Sequence, residues 1–304
     1  MRIFVTGASG WIGAALVQEL IGAGYQAVGL ARSDAAAEQV EAAGATAWRG
    51  DLDDPDGLAA AAAESDGVVH LAFQHQIAWG GDFAAAGSAD RRAVEAMGGA
   101  LAGSDRPFVL ASGIIGLAAG RVATESDGLV PDVVVRAIPA GIRAATALLA
   151  LSLRGIGVRS SVVRYAPTVH GAGDHGFMAT LVAVARERGV AGYVGDGANR
   201  WPAVHRADAA RLTRLAVESA PGGSVLHAIG EEGIAYRQIA ETIGRHLGVP
   251  TASVDPQDAT DHFGSLGHFV GADCPTSSAV TQELLGWVPT GPGLIEDLEQ
   301  GHYF

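Results

Sequence analysis

The 304-residue sequence contains no lysine, since all 20 of its basic residues are arginines. No ε-ammonium group can therefore take part in its chemistry. A single cysteine, Cys274, excludes an internal disulfide, and with no Cys pair there is no basis for a cysteine metal site. Positive charge is also scarce: 33 acidic residues against 20 arginines leave a net charge of −13. Without a basic run, a nucleic-acid backbone would be repelled, so no nucleic-acid partner is expected. Long charge-free apolar runs are missing too. The most apolar helix candidate, residues 137–153, is interrupted by Pro139 and Arg143, which argues against a membrane span. Residues 1–5 pass straight into a glycine loop and leave no room for a signal peptide with its apolar core and cleavage site. The expectation is a cytoplasmic protein. With 48% hydrophobic residues and a mean hydropathy of +0.23, the chain has ample material for a core and is not disordered.

The first half alternates short β-branched runs with helical patterns, the signature of βαβ units and a parallel sheet. Strands are expected at 2–5, 27–30, 45–48, 67–71, 107–111 and 159–165. Helices are expected at 12–22, 35–43, 56–63, 88–102 and 136–153. From Ala166 onward the alternation stops and glycine-rich loops intervene, which suggests a smaller cap. Residues 224–229 read as one more strand of the sheet and 207–218 as a helix packed on it. The expected architecture is an α/β Rossmann doubly wound parallel sheet with a smaller C-terminal substrate-binding cap. Residues 1–165 and about 203–229 form the sheet domain; residues 166–202 and 230–304 form the cap.

The segment from Ile3 through Thr6, Gly7, Ser9, Gly10, Trp11, Ile12 and Gly13 is a buried strand, a loop with glycines three apart, and an apolar helix. Gly7 permits a tight turn, Gly10 lets backbone N–H groups approach a pyrophosphate, and Gly13 lets helix and strand pack closely. The phosphate charge then rests on a helix N-terminus. A NAD site normally offers an acid at the end of the second strand, to the ribose hydroxyls. Here Arg32 and Ser33 stand instead and suit a 2′-phosphate, so NADP is favoured over NAD, although Asp34 follows closely. Asp51 and Leu52 after the third strand, and Leu71, Ala72 and Phe73 after the fourth, stand where adenine and ribose contacts fall. Asp51 serves equally well as a cap for the helix after Pro55.

These residues resemble the short-chain dehydrogenase/reductases, in particular their atypical extended group. The match is carried by Thr6 to Gly13, Asp51-Leu52, Ser112 after the fifth strand, the block Arg164 to Gly171, and the stretch from Gly195 to Asp208. The resemblance spans nearly the whole chain and implies further cofactor contacts from Pro167 and Val169. It also implies a dimer through helices 88–102 and 136–153. The family normally carries Tyr-x-x-x-Lys on the helix after the serine. Those two positions fall near Ile138 and Ile142, and no tyrosine here has a lysine four residues on. Of the usual catalytic set only the serine survives.

Hydride transfer to a carbonyl needs stabilisation of the developing alkoxide and eventually a proton. Ser112 should place a hydroxyl at the carboxyl end of the sheet, though a hydrogen bond to its own loop is as reasonable a role. His170 and His175 lie in an expected flexible loop and could replace the lost acid. Asp174 reads as the N-cap of the helix from Phe177, and His205 as a structural hydrogen bond to the cap. Arg136, Arg143, Arg200 and Trp201 could bind an anionic or aromatic substrate, but exposed arginines and a core tryptophan explain them too. His262 and His268 are six residues apart, off one helical face, so no metal site is expected; Phe263, Phe269 and Trp287 read as cap core. The leading expectation is an NADP(H)-dependent oxidoreductase acting on C=O or C=N of a small organic substrate. An isomerase or lyase on the same scaffold, and a non-catalytic NADP-binding regulator, stay open.

Overall fold

The computed structural model describes residues 1–118, 120–128 and 139–304. The apolar runs of the first half become β1 (Arg2–Thr6), β2 (Gln26–Ala31), β3 (Thr46–Arg49), β4 (Gly67–His70) and β5 (Pro107–Gly113). Between them stand α1 (Trp11–Gly22), α2 (Asp34–Ala42), α3 (Pro55–Ala63), α4 (His75–Trp79) and α5 (Phe83–Ala100). After β5 come α6 (Pro139–Ser152), β6 (Arg159–Tyr165), β7 (Thr168–His170), α7 (Phe177–Arg188), β8 (Ala191–Val194) and β9 (Arg200–His205). The chain ends with α8 (Arg206–Ser219), β10 (Ser224–Ala228), β11 (Glu231–Ala235), α9 (Tyr236–Leu247), β12 (Thr251–Val254), α10 (Ala259–Phe263), α11 (Ala279–Leu285) and α12 (Leu294–Glu299).

Seven parallel strands form one sheet in the order β10-β6-β5-β4-β1-β2-β3. Alternate residues of β1 serve opposite faces. Ile3 and Val5 pack with Leu16, Val17 and Leu20 of α1 and Leu212 of α8, whereas Phe4 packs with Leu58 of α3, Met97 of α5 and Ala150 of α6. Covering both faces is what permits strands with no polar alternation. The strand order reverses between β1 and β4, and a crevice outside the carboxyl ends of the strands at such a reversal is where open α/β sheets take ligands.

The later chain builds a three-stranded sheet, β11-β9-β7, and a parallel pair, β12-β8. Trp201, Tyr236, Phe263 and Trp287 are buried there, and Phe269 packs against them part-buried. The chain returns to the large sheet through α8 and β10, as the pattern suggests. Most element bounds fall within two residues of expectation, and the largest difference is at α5. The helix expected from Ser88 starts at Phe83, where Asp82 accepts the Ala85 N–H as its cap, and α4 precedes it. Arg136 and Ile138 lie outside the described residues. Pro139 opens α6, where a missing N–H costs nothing.

Candidate dinucleotide and active site

β1 runs into the first glycine turn. Gly7 holds φ +70°, and a Cβ there would sit 2.9 Å from the Ala72 nitrogen. The Gly10 N–H closes the turn on the Gly7 carbonyl at 2.9 Å, and a Cβ on Gly13 would fall 2.0 Å from that same oxygen. Only hydrogen fits at Gly7 and Gly13. No side chain caps α1 at Gly10, so the first-turn N–H groups of the helix stay available, the arrangement that receives a pyrophosphate. Ser9 and Ile12 are part-exposed beside it. The Trp11 indole N–H donates to the Val169 carbonyl at 2.7 Å, Arg206 lies over its ring at 4.0 Å, and its edge meets His175 with centroids 5.6 Å apart. This tryptophan fastens the turn to β7 and to the loop that follows.

On the β2–β3 side, Arg32 is exposed and no described residue bonds its side chain. Asp34 faces Arg49 at 2.8 Å, and Ser33 accepts the Ala36 N–H at 3.2 Å as the cap of α2. Asp51 is not the cap of α3; its carboxylate accepts the Asp53 N–H at 3.1 Å, while Asp54 caps the helix through the Gly57 N–H at 3.0 Å. A cap must sit one residue before the first helical residue, and Pro55 occupies that first position. Leu52 turns into the core beneath. Leu71, Ala72 and Phe73 are part-buried along the crevice.

On the other side of the switch point a buried polar chain runs beneath the crevice. The Thr6 hydroxyl accepts the Ala72 N–H at 3.1 Å and meets His70 Nδ1 at 2.6 Å. His70 Nε2 reaches Asp90 Oδ1 at 3.1 Å, and Arg143 donates to Asp90 Oδ2 at 3.0 Å and to the Ala111 carbonyl at 2.7 Å. The Arg143 guanidinium lies 4.4 Å from the Phe73 ring centroid. Burial alone would raise the Asp90 carboxyl, but Arg143 and His70 outweigh it and hold the group below its ordinary value. Burial and then Arg143 lower the His75 imidazole, against the pull of Asp90. Sequence reasoning missed this assembly, because its members come from four separate elements.

Ser112 is part-exposed at the end of β5, and no described residue hydrogen-bonds its hydroxyl, so the alternative role of bonding its own loop is not seen. Its register partner on β6 is Arg164, buried and pushed down to about 10 by burial despite Asp127 and Glu125 nearby. Arg164 approaches His227 Nε2 at 3.4 Å.

The expected loop histidines part company. His170 is not in a loop: it ends β7 with no exposed surface and bonds Asp297 through Nδ1 at 2.9 Å. The short strand β7 is not expected from the sequence; it forms where the chain pairs with β9, His170 opposite His205. His175 lies beyond it, exposed, in the segment 171–176. Asp174 does not cap α7. It accepts the Gly176 N–H at 2.6 Å and the Tyr303 hydroxyl at 3.1 Å, and Gly176 stands at the cap position. Burial raises the Asp174 carboxyl against those bonds. His205 accepts the Ala207 N–H at 3.4 Å at the start of α8. Pro167 and Val169 are part-buried on the approach to Trp11. Arg200 pairs with Asp273 at 2.9 Å, and Trp201 is fully buried in the cap core. Among the described residues no three His, Cys, Asp or Glu side chains are placed to hold a metal, and no helix is long and apolar enough to cross a membrane.

A doubly wound parallel sheet, a bare glycine turn at its first crossover and a cap over the carboxyl ends define an extended short-chain dehydrogenase/reductase. The comparisons with known proteins agree. The NAD dependent epimerase/dehydratase family matches residues 3–91. An uncharacterized protein of Schizosaccharomyces pombe is 45% identical over 305 residues, 100% of both chains, and one of Saccharomyces cerevisiae is 43% identical over 99% of each. Among solved structures, dTDP-glucose 4,6-dehydratase of Streptomyces venezuelae with NAD bound superposes with a TM-score of 0.77 at 21% identity, over 98% of this chain and 96% of that one. UDP-glucose 4-epimerase of Thermotoga maritima gives 0.77 at 20%, over 99% and 97%. At such identities the likeness concerns the fold. The chain belongs to the NAD dependent epimerase/dehydratase family, as an atypical extended member without the Tyr-x-x-x-Lys pair.

Proposed function

We propose that this protein is an NADP(H)-dependent oxidoreductase that moves hydride to or from C=O or C=N of a small organic substrate seated between sheet and cap. One observation carries the reading: the bare turn at Gly7, Gly10 and Gly13 opens on the same carboxyl edge of the sheet as Ser112, whose hydroxyl has no described partner. Ser9, Trp11 and Ile12 frame the pyrophosphate, with Thr6 buried beneath the turn; Asp51, Leu71 and Ala72 line the adenosine and ribose path, Leu52 offers only backbone there because its side chain is in the core, Phe73 stands where that path meets the reacting half, and Pro167 and Val169 lie opposite. Arg32 favours NADP over NAD, because it has no acidic partner among the described residues while Asp34 is engaged by Arg49.

The bound cofactor supplies the hydride. Ser112 donates a hydrogen bond to the substrate oxygen or nitrogen as charge develops there. His175 is the exposed imidazole suited to exchange the proton; His170, sealed in β7 against Asp297, is not. An iminium or polarised enone suits this site, because such an acceptor takes hydride with little help from an acid.

Fluorescence titration with NADPH and NADH tests the cofactor, and nicotinamide absorbance during incubation with ketones, enones and iminium salts tests the reaction. NADPH should bind about tenfold tighter than NADH, the worth of one charge-assisted contact, and R32A should erase the difference. Binding of neither nucleotide would overturn the reading. Substrate conversion with no net absorbance change would assign isomerisation or elimination instead.

A further inference from the structure

The switch point divides any dinucleotide held at the turn into two halves. With the pyrophosphate at α1 and the adenosine end toward Arg32 and Asp51, the nicotinamide riboside falls over the ends of β4 and β5. Among the described residues Arg143 is a cation at that place, and unlike Arg164, the buried register partner of Ser112, it keeps part of its side chain exposed. Asp90 and the Ala111 carbonyl each take one of its N–H groups, and Phe73 supports its face. Those three contacts hold the guanidinium beside Ser112, the residue after Ala111. The side chain keeps 23% of its surface exposed, and its remaining N–H groups meet no described acceptor.

Asp90 is 1% exposed, as is His70, and Thr6 is fully buried. With its Nε2–H donated to Asp90, His70 accepts the Thr6 proton at Nδ1, and Thr6 accepts from Ala72. The chain of bonds therefore ties the guanidinium to the residue that opens the dinucleotide turn. A buried ion pair gains little stability over apolar residues of the same volume, so stability alone does not account for this one between α5 and α6. Its exposed end does: the fixed cation faces the crevice.

We propose that Arg143, positioned by Asp90, His70 and Thr6, binds the oxygens of the nicotinamide-riboside half of the cofactor beside Ser112. This inference rests on the dinucleotide reading above and goes beyond it by assigning the cation of the reacting half in a chain with no lysine. Two ligands separate the claims. NADPH carries both halves, whereas adenosine 2′,5′-bisphosphate carries only the adenosine half.

R143M should weaken NADPH binding by about tenfold or more, the worth of a charge-assisted hydrogen bond, and leave adenosine 2′,5′-bisphosphate binding unchanged. R143K, with a point charge in place of the fork, should recover part of the loss. Because R143M strands the Asp90 carboxylate, the double variant D90N/R143M repeats the measurement with both charges removed and should show the same selective loss. Wild-type NADPH affinity in the double variant would overturn the assignment and leave the cofactor reading standing. Equal loss for both ligands would also overturn it, reducing Arg143 to a structural part. A wild-type protein that binds neither ligand would overturn the cofactor reading and this one with it.

Discussion

Replacing Gly13 by alanine tests the turn most directly. The added Cβ would lie 2.0 Å from the Gly7 carbonyl oxygen, 2.8 Å from the Gly7 carbonyl carbon and 2.9 Å from the Ala8 Cα. All three are backbone atoms, so no rotamer change relieves the contact. Non-bonded heavy atoms settle at roughly 3.5 Å, so the start of α1 must move away from the turn at Gly7 and Ala8 by more than an ångström. Such overpacking costs about 1–3 kcal/mol of stability. The larger effect falls on the ligand, since the displaced amides lose their aim at the pyrophosphate. Two charge-assisted bonds at ~1.5 kcal/mol each amount to about a hundredfold in affinity. Gly22→Ala is the matched control in the same helix, where an added Cβ meets nothing within 4 Å. It should leave NADPH binding untouched and raise stability by up to ~1 kcal/mol. Urea unfolding and NADPH fluorescence titration on both variants give the comparison. If Gly13→Ala keeps the wild-type midpoint and the wild-type Kd, the turn is neither as tight nor as central as argued.

Asp208 is 2% exposed and accepts the Thr290 N–H at 3.0 Å and the Gly291 N–H at 2.7 Å. Asp208→Ala leaves both unpaired and should cost about 2–4 kcal/mol by urea unfolding; a loss well under 1 kcal/mol would count against these two bonds as the anchor of residues 290–291 on α8. The Asp90 carboxyl is held below its ordinary 3.8, so its stabilising contribution is complete above that pH and lost as pH falls through the lower, folded value. Stability of the wild type should therefore drop more steeply below about pH 4 than that of Asp90→Asn, and parallel acid unfolding curves would refute the pairing. Burial pushes the Cys274 thiol up to about 12. A disulfide reagent at neutral pH should leave the native protein unlabelled and modify the chain only once it unfolds; rapid labelling of the native state would contradict the burial.

What the sequence makes legible is what lies close along the chain. The strand, glycine turn and helix from Ile3 to Gly22 form one continuous unit, so spacing alone identifies it. The return of residues 206–228 to the large sheet is readable for the same reason, as a helix and a strand in immediate succession. Asp174 marks the limit of local reasoning. An acid before a helix reads as a cap, but Gly173 at φ +83° turns the chain early, and Asp174 bonds Gly176 and Tyr303 instead. His170 looks like a loop residue only while β9 is unknown; its partners, His205 and Asp297, lie far along the chain.

The reacting half of the crevice is hidden for a further reason. Thr6, His70, Asp90 and Arg143 each have an ordinary local explanation: a strand end, a strand end, a helix face and a helix face. Only the pairing of β1 with β4 and the packing of α5 on α6 bring them into one line of hydrogen bonds. The one sequence signal is negative, a chain of 20 arginines and no lysine. An ammonium that is partly buried gives up its proton readily, whereas a guanidinium keeps its charge and offers a planar fork that can hold a carboxylate on one edge and a ligand on another. A pocket cation that must stay charged while tethered to a buried acid is thus better made from arginine, provided a carboxylate with no access to water is there to fix it. Asp90, 1% exposed on α5, meets that condition.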